Sequence, residues 1–272
     1  MINKGFSLSR RNFLKACGGM FLTGGLGGKE RIYSVDAYAS LVEDIPAYRQ
    51  EDDNRVLVEG PSYPKGCLLR IDRIIAGTEA FLGLPMNWWL GIERDSWLHN
   101  PKAPLAQKDL VVPLDLRRIN LVTRKDMAPI NSLRENHQEY VPPESKRIEV
   151  DLESQSLTAF EEEEIVLRAS ISSGLWDTTP RGEFSIGAKT PSRYMQGSDF
   201  DLPGVPYNNF FTERGHAIHG TYWHYRFGTT PQSHGCINAP TSAAEKIFRW
   251  SQPVMNHEVE RTYGAGTKLI IW

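Results

Sequence analysis

Of the chain's 272 residues only three are cysteine, at positions 17, 67 and 236. So few cysteines exclude a disulfide-stapled scaffold, and the absence of CxxC and HExxH pairs removes the usual zinc motifs. Basic charge is not in excess either: 31 Lys and Arg face 33 Asp and Glu, a net charge of −2. A surface of this kind does not track nucleic-acid phosphates, which need clustered positive charge. No stretch approaches the ~20 consecutive apolar residues of a membrane-spanning helix. What is left is an ordinary globular composition, 40% hydrophobic and 24% charged, long enough for one large or two modest domains.

What the chain does have begins at its N-terminus. Ser9-Arg10-Arg11-x-Phe13-Leu14-Lys15 is followed by a weakly apolar, glycine-rich run without charge to Gly28. This resembles a twin-arginine export signal. The resemblance implies passage through the Tat translocon, a place in the cell envelope outside the cytoplasm, and removal near Ala37-Tyr38-Ala39. A retained signal would instead tether the protein to the membrane. Residues 1–39 are therefore set apart as a Tat signal peptide. They hold six basic and two acidic residues, so the remainder carries a net charge of −6.

From residue 43 to 140 the pattern is short apolar runs, CLLRIDRII, NWWLGI, LVVPLDL and INLVTR, broken by Gly, Pro and Asn. Such runs predict strands, hence a β-rich accessory module, SH3-like or wall-binding. Cys67 reads as a small buried residue of an apolar strand. Trp88, Trp89 and Trp97 read as core, or, if exposed, as a stacking surface for a glycan or peptide. The polar VPPESK, with its double proline, marks a boundary.

Beyond it, Ile148, Val150 and Leu152 alternate with charges, the chain turns, and Ile165, Leu167, Ala169 and Ile171 alternate again. This predicts an antiparallel hairpin or meander with one buried face. Glu161–Glu164 read as a solvated tip. Pro180 and Gly182 make a tight turn into a strand. A long Gly/Pro/Asn-rich passage from Arg193 to Arg214 suggests no regular element. Ser242-Ala-Ala-Glu245 has the form of a capping box, opening a short helix with Ala244, Ile247 and Phe248 on one face and ended by Pro253. TKLIIW closes the chain as a strand.

One stretch concentrates chemistry: HAIHGTYWHYRFGTTPQSHGCINAP, residues 216–240, holds four of the seven histidines and Cys236. Three readings compete for it. A metal site would use His216 and His219, but in a strand residues three apart point to opposite faces. An inert core thiol would sit in an apolar frame, whereas Cys236 lies in Ser233-His234-Gly235-Cys236-Ile237-Asn238. A nucleophile needs a base nearby, since a free thiol of pKa about 8.5 is largely protonated at neutral pH. The adjacent glycine also frees backbone N–H groups to face a ligand. His219 and His234 are both candidate bases, and local chemistry does not choose between them.

Ile218-His219-Gly220-Thr221, a gap, then Ser233-His234-Gly235-Cys236-Ile237-Asn238 resembles the signature of the L,D-transpeptidase (YkuD-type) catalytic domain. Thr179-Pro180-x-Gly182-x-Phe184 and the opening hairpin extend the resemblance over residues 146–272. It implies a mainly β, β-sandwich-like fold with one or two short helices. It further implies Cys236 as nucleophile, His219 as general base and the carbonyl of Gly220 as the group orienting His219. Gly235 and Cys236 N–H groups would hold the oxyanion, with Ser233, His234 and Asn238 shaping the loop. Substrate contacts fall to Tyr194, Tyr207, His216, Thr221 and His224. Expected partners are the donor and acceptor stem peptides of peptidoglycan, without metal or other cofactor, and the protein is expected to act as a monomer. Transfer of the thioester to an amine gives a cross-link; transfer to water would make an L,D-carboxypeptidase. A wall-binding protein with an inactive C-terminal domain is the distant alternative.

Overall fold

The computed structural model describes residues 22–23, 31–46, 48–51, 54–57, 62–76, 80–83, 110–113, 117–256, 259 and 261–272. Arg10 and Arg11 of the expected export signal, Cys17, Trp88, Trp89 and Trp97 lie outside them. Two compact units divide the chain, Met1–Asp126 and Met127–Trp272. The double-proline segment lies within the second: Val141 is buried, its N–H donates to Asn131 Oδ1 at 3.0 Å, and Pro143–Ser145 form a 3-10 turn.

Eight strands make the sheet of the first unit: β1 (Leu22–Thr23), β2 (Arg31–Leu41), β3 (Tyr48–Glu51), β4 (Asn54–Leu57), β5 (Leu68–Ala76), β6 (Ala80–Gly83), β7 (Leu110–Pro113) and β8 (Ile119–Thr123). Their order is β1-β2-β5-β6-β7-β3-β4, with β8 also pairing β2. Cys67, Leu68, Leu69 and Ile71 are buried, as apolar strand residues should be. Desolvation pushes the Cys67 thiol well above its ordinary pKa, so it stays neutral and inert.

The small-residue site Ala37-Tyr38-Ala39 occupies the middle of this sheet. All three residues are buried, paired on one side with Ile71, Arg70 and Leu69 and on the other with Thr123, Val122 and Leu121. A cut after Ala39 would remove nine of the eleven residues of β2 and orphan the facing backbone groups of β5 and β8. N-terminal sequencing of the protein isolated from its native cells is therefore expected to find residues 31–39 still present. A mature chain beginning at Ser40 would contradict this.

The second unit is built from β9 (Lys146–Asp151), β10 (Ser156–Glu161), β11 (Glu164–Ser170), β12 (Gly182–Ser185), β13 (Ala188–Gln196), β14 (Asp201–Phe210), β15 (Ala217–Thr221), β16 (Ile237–Pro240), β17 (Thr262–Tyr263), β18 (Lys268–Ile271) and one helix, α1 (Thr241–Trp250). Two five-stranded sheets result, β11-β10-β9-β18-β12 and β16-β15-β14-β13-β17. This is the mainly β architecture that the short alternating runs predict.

Of the hairpin or meander expected at the opening, the meander is formed, with SLTAFE as its middle strand and Leu157 and Ala159 buried. Four local expectations are corrected. On β11 the expected inward face is only partly realised: Ile171, just past the strand, is buried, but Ile165 is exposed on this edge strand, beyond a register shift between Ala159 and Phe160. The Gly/Pro/Asn-rich passage is largely regular: β13 and β14 pair from Ala188↔Phe210 to Gln196↔Asp201, with Tyr207 at positive φ. The capping box is not formed. Pro240 is the N-cap of α1 without a side-chain cap bond, and Glu245 pairs with Arg249 one turn on.

Glu161 is the fourth. Far from a solvated tip, it is fully buried, accepting from Ser132 Oγ at 2.6 Å, Leu133 N–H at 2.8 Å and Trp250 Nε1 at 2.7 Å, with Arg134 beside it. Hydrogen bonds and an ion pair offset its desolvation.

Helix α1 buries Ala243, Ala244, Ile247, Phe248 and Trp250 and ends where two lysines meet its carbonyls. Lys189 of β13, wholly buried, donates to the carbonyls of Phe248 (2.7 Å) and Ser251. Lys146 of β9, also buried, donates to that of Trp250 at 3.1 Å.

Candidate active site

Strands β15 and β16 are the parallel pair that carries the histidine-cysteine unit, with Ile218↔Ile237, His219↔Asn238 and Gly220↔Ala239 in register. Every residue of β15 is buried. Continuing the register one step places Cys236 beside Ala217, and a backbone group of Ala217 does bond the thiol. Cys236 thus sits in the bend before β16, next to Ala217, which is two residues, roughly 7 Å of strand, from His219 on β15.

His219 Nδ1 lies 3.1 Å from the Gly220 carbonyl. A carbonyl can only accept, so Nδ1 carries the proton and Nε2 keeps its lone pair as the basic atom. Gly220 allows no side chain here: a Cβ would stand 2.8 Å from the ring of Pro206. Burial pushes the pKa of His219 down to about 4, against the upward pull of the Gly220 bond. Burial likewise raises the Cys236 thiol to about 11, the Ala217 bond opposing. Its Sγ donates weakly to the Gly215 carbonyl at 3.8 Å. The resting pair is a neutral thiol and a neutral imidazole.

The loop that presents Cys236 is closed by Ser233. Its Oγ donates to the Cys236 carbonyl at 2.6 Å and accepts the Gly235 N–H at 3.0 Å. The Gly235 N–H, one of the two expected oxyanion donors, is thus taken up in the resting loop. Gly235 has φ +128°, and a Cβ there would meet His216 at 2.8 Å and the Thr178 carbonyl at 3.1 Å. Leu175 N–H donates to the Ser233 carbonyl at 2.8 Å, and a Cβ on Gly174 would stand 2.8 Å from Gly235 Cα.

The other histidines separate cleanly. His234 is exposed, 3.0 Å from Asp199 and tilted against Phe200 with ring centroids 4.9 Å apart, so its ring is turned to the β13–β14 turn. His216 bonds Thr212 Oγ1 at 2.9 Å and lies against Phe211 and Gly235, so it packs beneath the loop. His224 accepts the Arg226 N–H at Nδ1, and its Nε2 meets the Asn238 side-chain amide at 2.8 Å, which ties Asn238 to the site wall.

Three expected substrate contacts are placed in the interior instead. Thr221 is 3% exposed. Tyr207 is buried against Phe248, with ring centroids 5.7 Å apart. Tyr194 is buried, and burial together with Asp201 raises its phenol well above the ordinary value. Buried side chains cannot line an open cleft. The sequence reading missed Trp223, whose ring lies 5.7 Å from His219, and Tyr222, bonded to the Pro203 carbonyl at 2.6 Å. The aromatic run immediately after His219 was the available signal.

Residues 145–271 match the family of the L,D-transpeptidase catalytic domain, YkuD. No curated protein matches the chain. Among solved structures, an L,D-transpeptidase fragment from Xylanimonas cellulosilytica DSM 15894 is 26% identical with a TM-score of 0.36, over 50% of this chain and 65% of that one. The catalytic domain of an E. faecium L,D-transpeptidase is 28% identical with a TM-score of 0.38, over 47% and 98%. An L,D-transpeptidase from Mycobacterium tuberculosis H37Rv is 16% identical with a TM-score of 0.40, over 71% and 90%.

Replacing Gly235 by Ala is expected to lower stability by about 1–3 kcal/mol, because the left-handed φ and the His216 contact strain any side chain there. Thermal denaturation beside the wild type measures this, and an unchanged melting temperature would show that the loop relaxes freely.

Proposed function

Residues 145–271 belong to the YkuD family of L,D-transpeptidase catalytic domains, and from that premise we propose that this protein is an exported peptidoglycan L,D-transpeptidase in which Cys236 is the acylated nucleophile. The observation that supports the assignment of roles is the His219 Nδ1 to Gly220 carbonyl bond, which leaves Nε2 basic on the strand whose Ala217 bonds the Cys236 thiol.

Cys236 Sγ attacks the carbonyl of the stem residue that precedes the terminal D-alanine, while the thiol proton passes to His219 Nε2. The carbonyl oxygen becomes an oxyanion held by the Cys236 N–H, joined by the Gly235 N–H when Ser233 releases it. One such donor is worth about 3 kcal/mol in the transition state. Collapse breaks the amide bond, and the departing D-alanine amine takes the proton from His219. An amine of a second stem then attacks the thioester and gives its proton to His219, and the thiol is restored. Two acyl transfers exchange one amide for another, so no nucleotide is consumed.

Because both groups are neutral at rest, His219 works as a base during attack and not through a preformed ion pair. Incubation of the folded protein with a carbapenem is expected to give a single covalent adduct by intact mass, absent in Cys236→Ala. No adduct on the wild type would overturn the mechanism. Release of D-alanine from a tetrapeptide donor, with and without an acceptor amine, then separates cross-linking from hydrolysis.

The pH dependence follows in sign. The competent pair is thiol plus neutral imidazole, populated above about pH 4, where His219 loses its proton, and below about pH 11, where the thiol does. Acylation rates should therefore be flat through pH 6.5 and fall only as pH approaches 4. An inflection near 6.5 would mean that His219 titrates as an ordinary, solvated histidine.

A further inference from the structure

Among the described residues, the turn Leu175–Asp177 holds one of the most exposed large apolar side chains. Trp176 is 86% exposed, and its backbone sits in the left-handed region at φ 51°, ψ 36°, followed by Asp177 at φ 58°. A bulky residue there is strained by about 1–3 kcal/mol, and the strain persists only because neighbouring bonds over-determine the turn. Thr178 N–H (3.1 Å) and Oγ1 (2.8 Å) both donate to the Leu175 carbonyl, and Gly174 N–H donates to Thr179 Oγ1 at 2.7 Å. Burial explains nothing about this indole, since almost none of it is buried.

Its position relative to Cys236 is fixed from both ends of the turn. Leu175 N–H bonds the Ser233 carbonyl, Gly174 lies against Gly235, and the Thr178 carbonyl lies near Gly235 as well. Trp176 is one or two residues from each contact, so its ring stands within about 10 Å of the Ser233–Cys236 loop. Beside it, Arg181 and Asp177 form an exposed ion pair at 3.0 Å, a set of planar donors and acceptors next to a flat apolar face.

We propose that Trp176 is a stacking platform for a pyranose ring of the glycan strand, with the Arg181–Asp177 pair available to its hydroxyls. The site would therefore prefer stems still attached to sugar. This inference rests on the peptidoglycan reading given above. The reach agrees: three extended residues separate the scissile bond from the sugar that bears the stem, about 10 Å. An indole offers a large rigid apolar surface at low conformational cost, which suits the C–H face of a sugar ring.

The test compares D-alanine release from a free tetrapeptide with release from the same stem carrying its disaccharide, for wild type, Trp176→Ala and Trp176→Tyr. Wild type is expected to favour the sugar-linked donor, Trp176→Ala to lower that preference about tenfold, and Trp176→Tyr to keep most of it. Equal losses on both donors, or no loss on either, would overturn the proposal. A second arm measures binding of peptide-free glycan chains to the full-length protein by calorimetry, with Cys236 replaced by Ala to remove the chemistry. Binding that weakens in the added Trp176→Ala supports the platform even where wild type releases no D-alanine, an outcome that would fail the transpeptidase reading alone. Binding that is absent, or indifferent to Trp176, overturns the platform whatever the enzyme does.

Discussion

Two buried ammonium groups at the end of one helix hold the catalytic unit together. Lys189 comes from β13 of one sheet and Lys146 from β9 of the other, and both donate to carbonyls at the C-terminus of α1. Those carbonyls lack intrahelical partners and carry the negative end of the helix dipole, so cations there are doubly favoured. Desolvation lowers the pKa of both lysines, Lys189 the more strongly, and its sign shows that the fold works against hydration to keep these charges where they are. Hydrogen bonds to charged groups contribute about 1.5–3 kcal/mol each. Because β16 passes through Pro240 directly into α1, fixing the far end of the helix also fixes the strand that follows Cys236.

The same logic of burial sets the chemistry. His219 lies in an entirely buried strand, where only a backbone carbonyl is at hand to orient it, and that carbonyl carries no charge with which to stabilise an imidazolium at rest. A low imidazole pKa and a high thiol pKa are two consequences of one dry environment. A thiol held neutral in this way is a poor nucleophile at rest, and under the proposed mechanism it becomes reactive only as His219 takes its proton. Ser233 adds a second restraint, because its hydroxyl holds the Gly235 N–H that an oxyanion would need.

How legible this was in the sequence depended on whether a feature was local. The Ser233–Cys236 loop, His219 and Gly220 lie within 18 residues of one another, so they could be singled out together, but their roles came from the family resemblance, since local chemistry left His219 and His234 open as bases. The strand alternation of β9 was visible for the same reason. Glu161 was misread because its partners, Ser132, Leu133 and Trp250, are 28 to 89 residues away, and an acidic run by itself looks solvated. Strands β13 and β14 were hidden by Pro191, Pro203, Pro206 and Gly204. Pairing across the sheet overrides that local signal. Tyr194 and Tyr207 were drawn toward the substrate on residue type alone, while burial decides that they pack. Ser242 and Glu245 matched a cap pattern that the preceding Pro240 pre-empts by starting the helix itself.

The turn at Leu175–Asp177 and the loop at Ser233–Cys236 are best understood as one object. Each glycine, Gly174 and Gly235, is small because the other's backbone or its neighbours occupy the space a methyl would need, and Ser233 is bonded at its carbonyl by one segment and at its hydroxyl by the other. A displacement of either segment therefore moves the Cys236 carbonyl, whose position Ser233 Oγ fixes at 2.6 Å. Whatever rests on the outer face of the 175–177 turn is consequently coupled, through three hydrogen bonds and a glycine–glycine contact, to the Gly235 N–H and the Cys236 carbonyl. Contact at the rim can thus adjust the reaction centre without touching it, which gives the strained, exposed conformation of the turn a physical reason to persist.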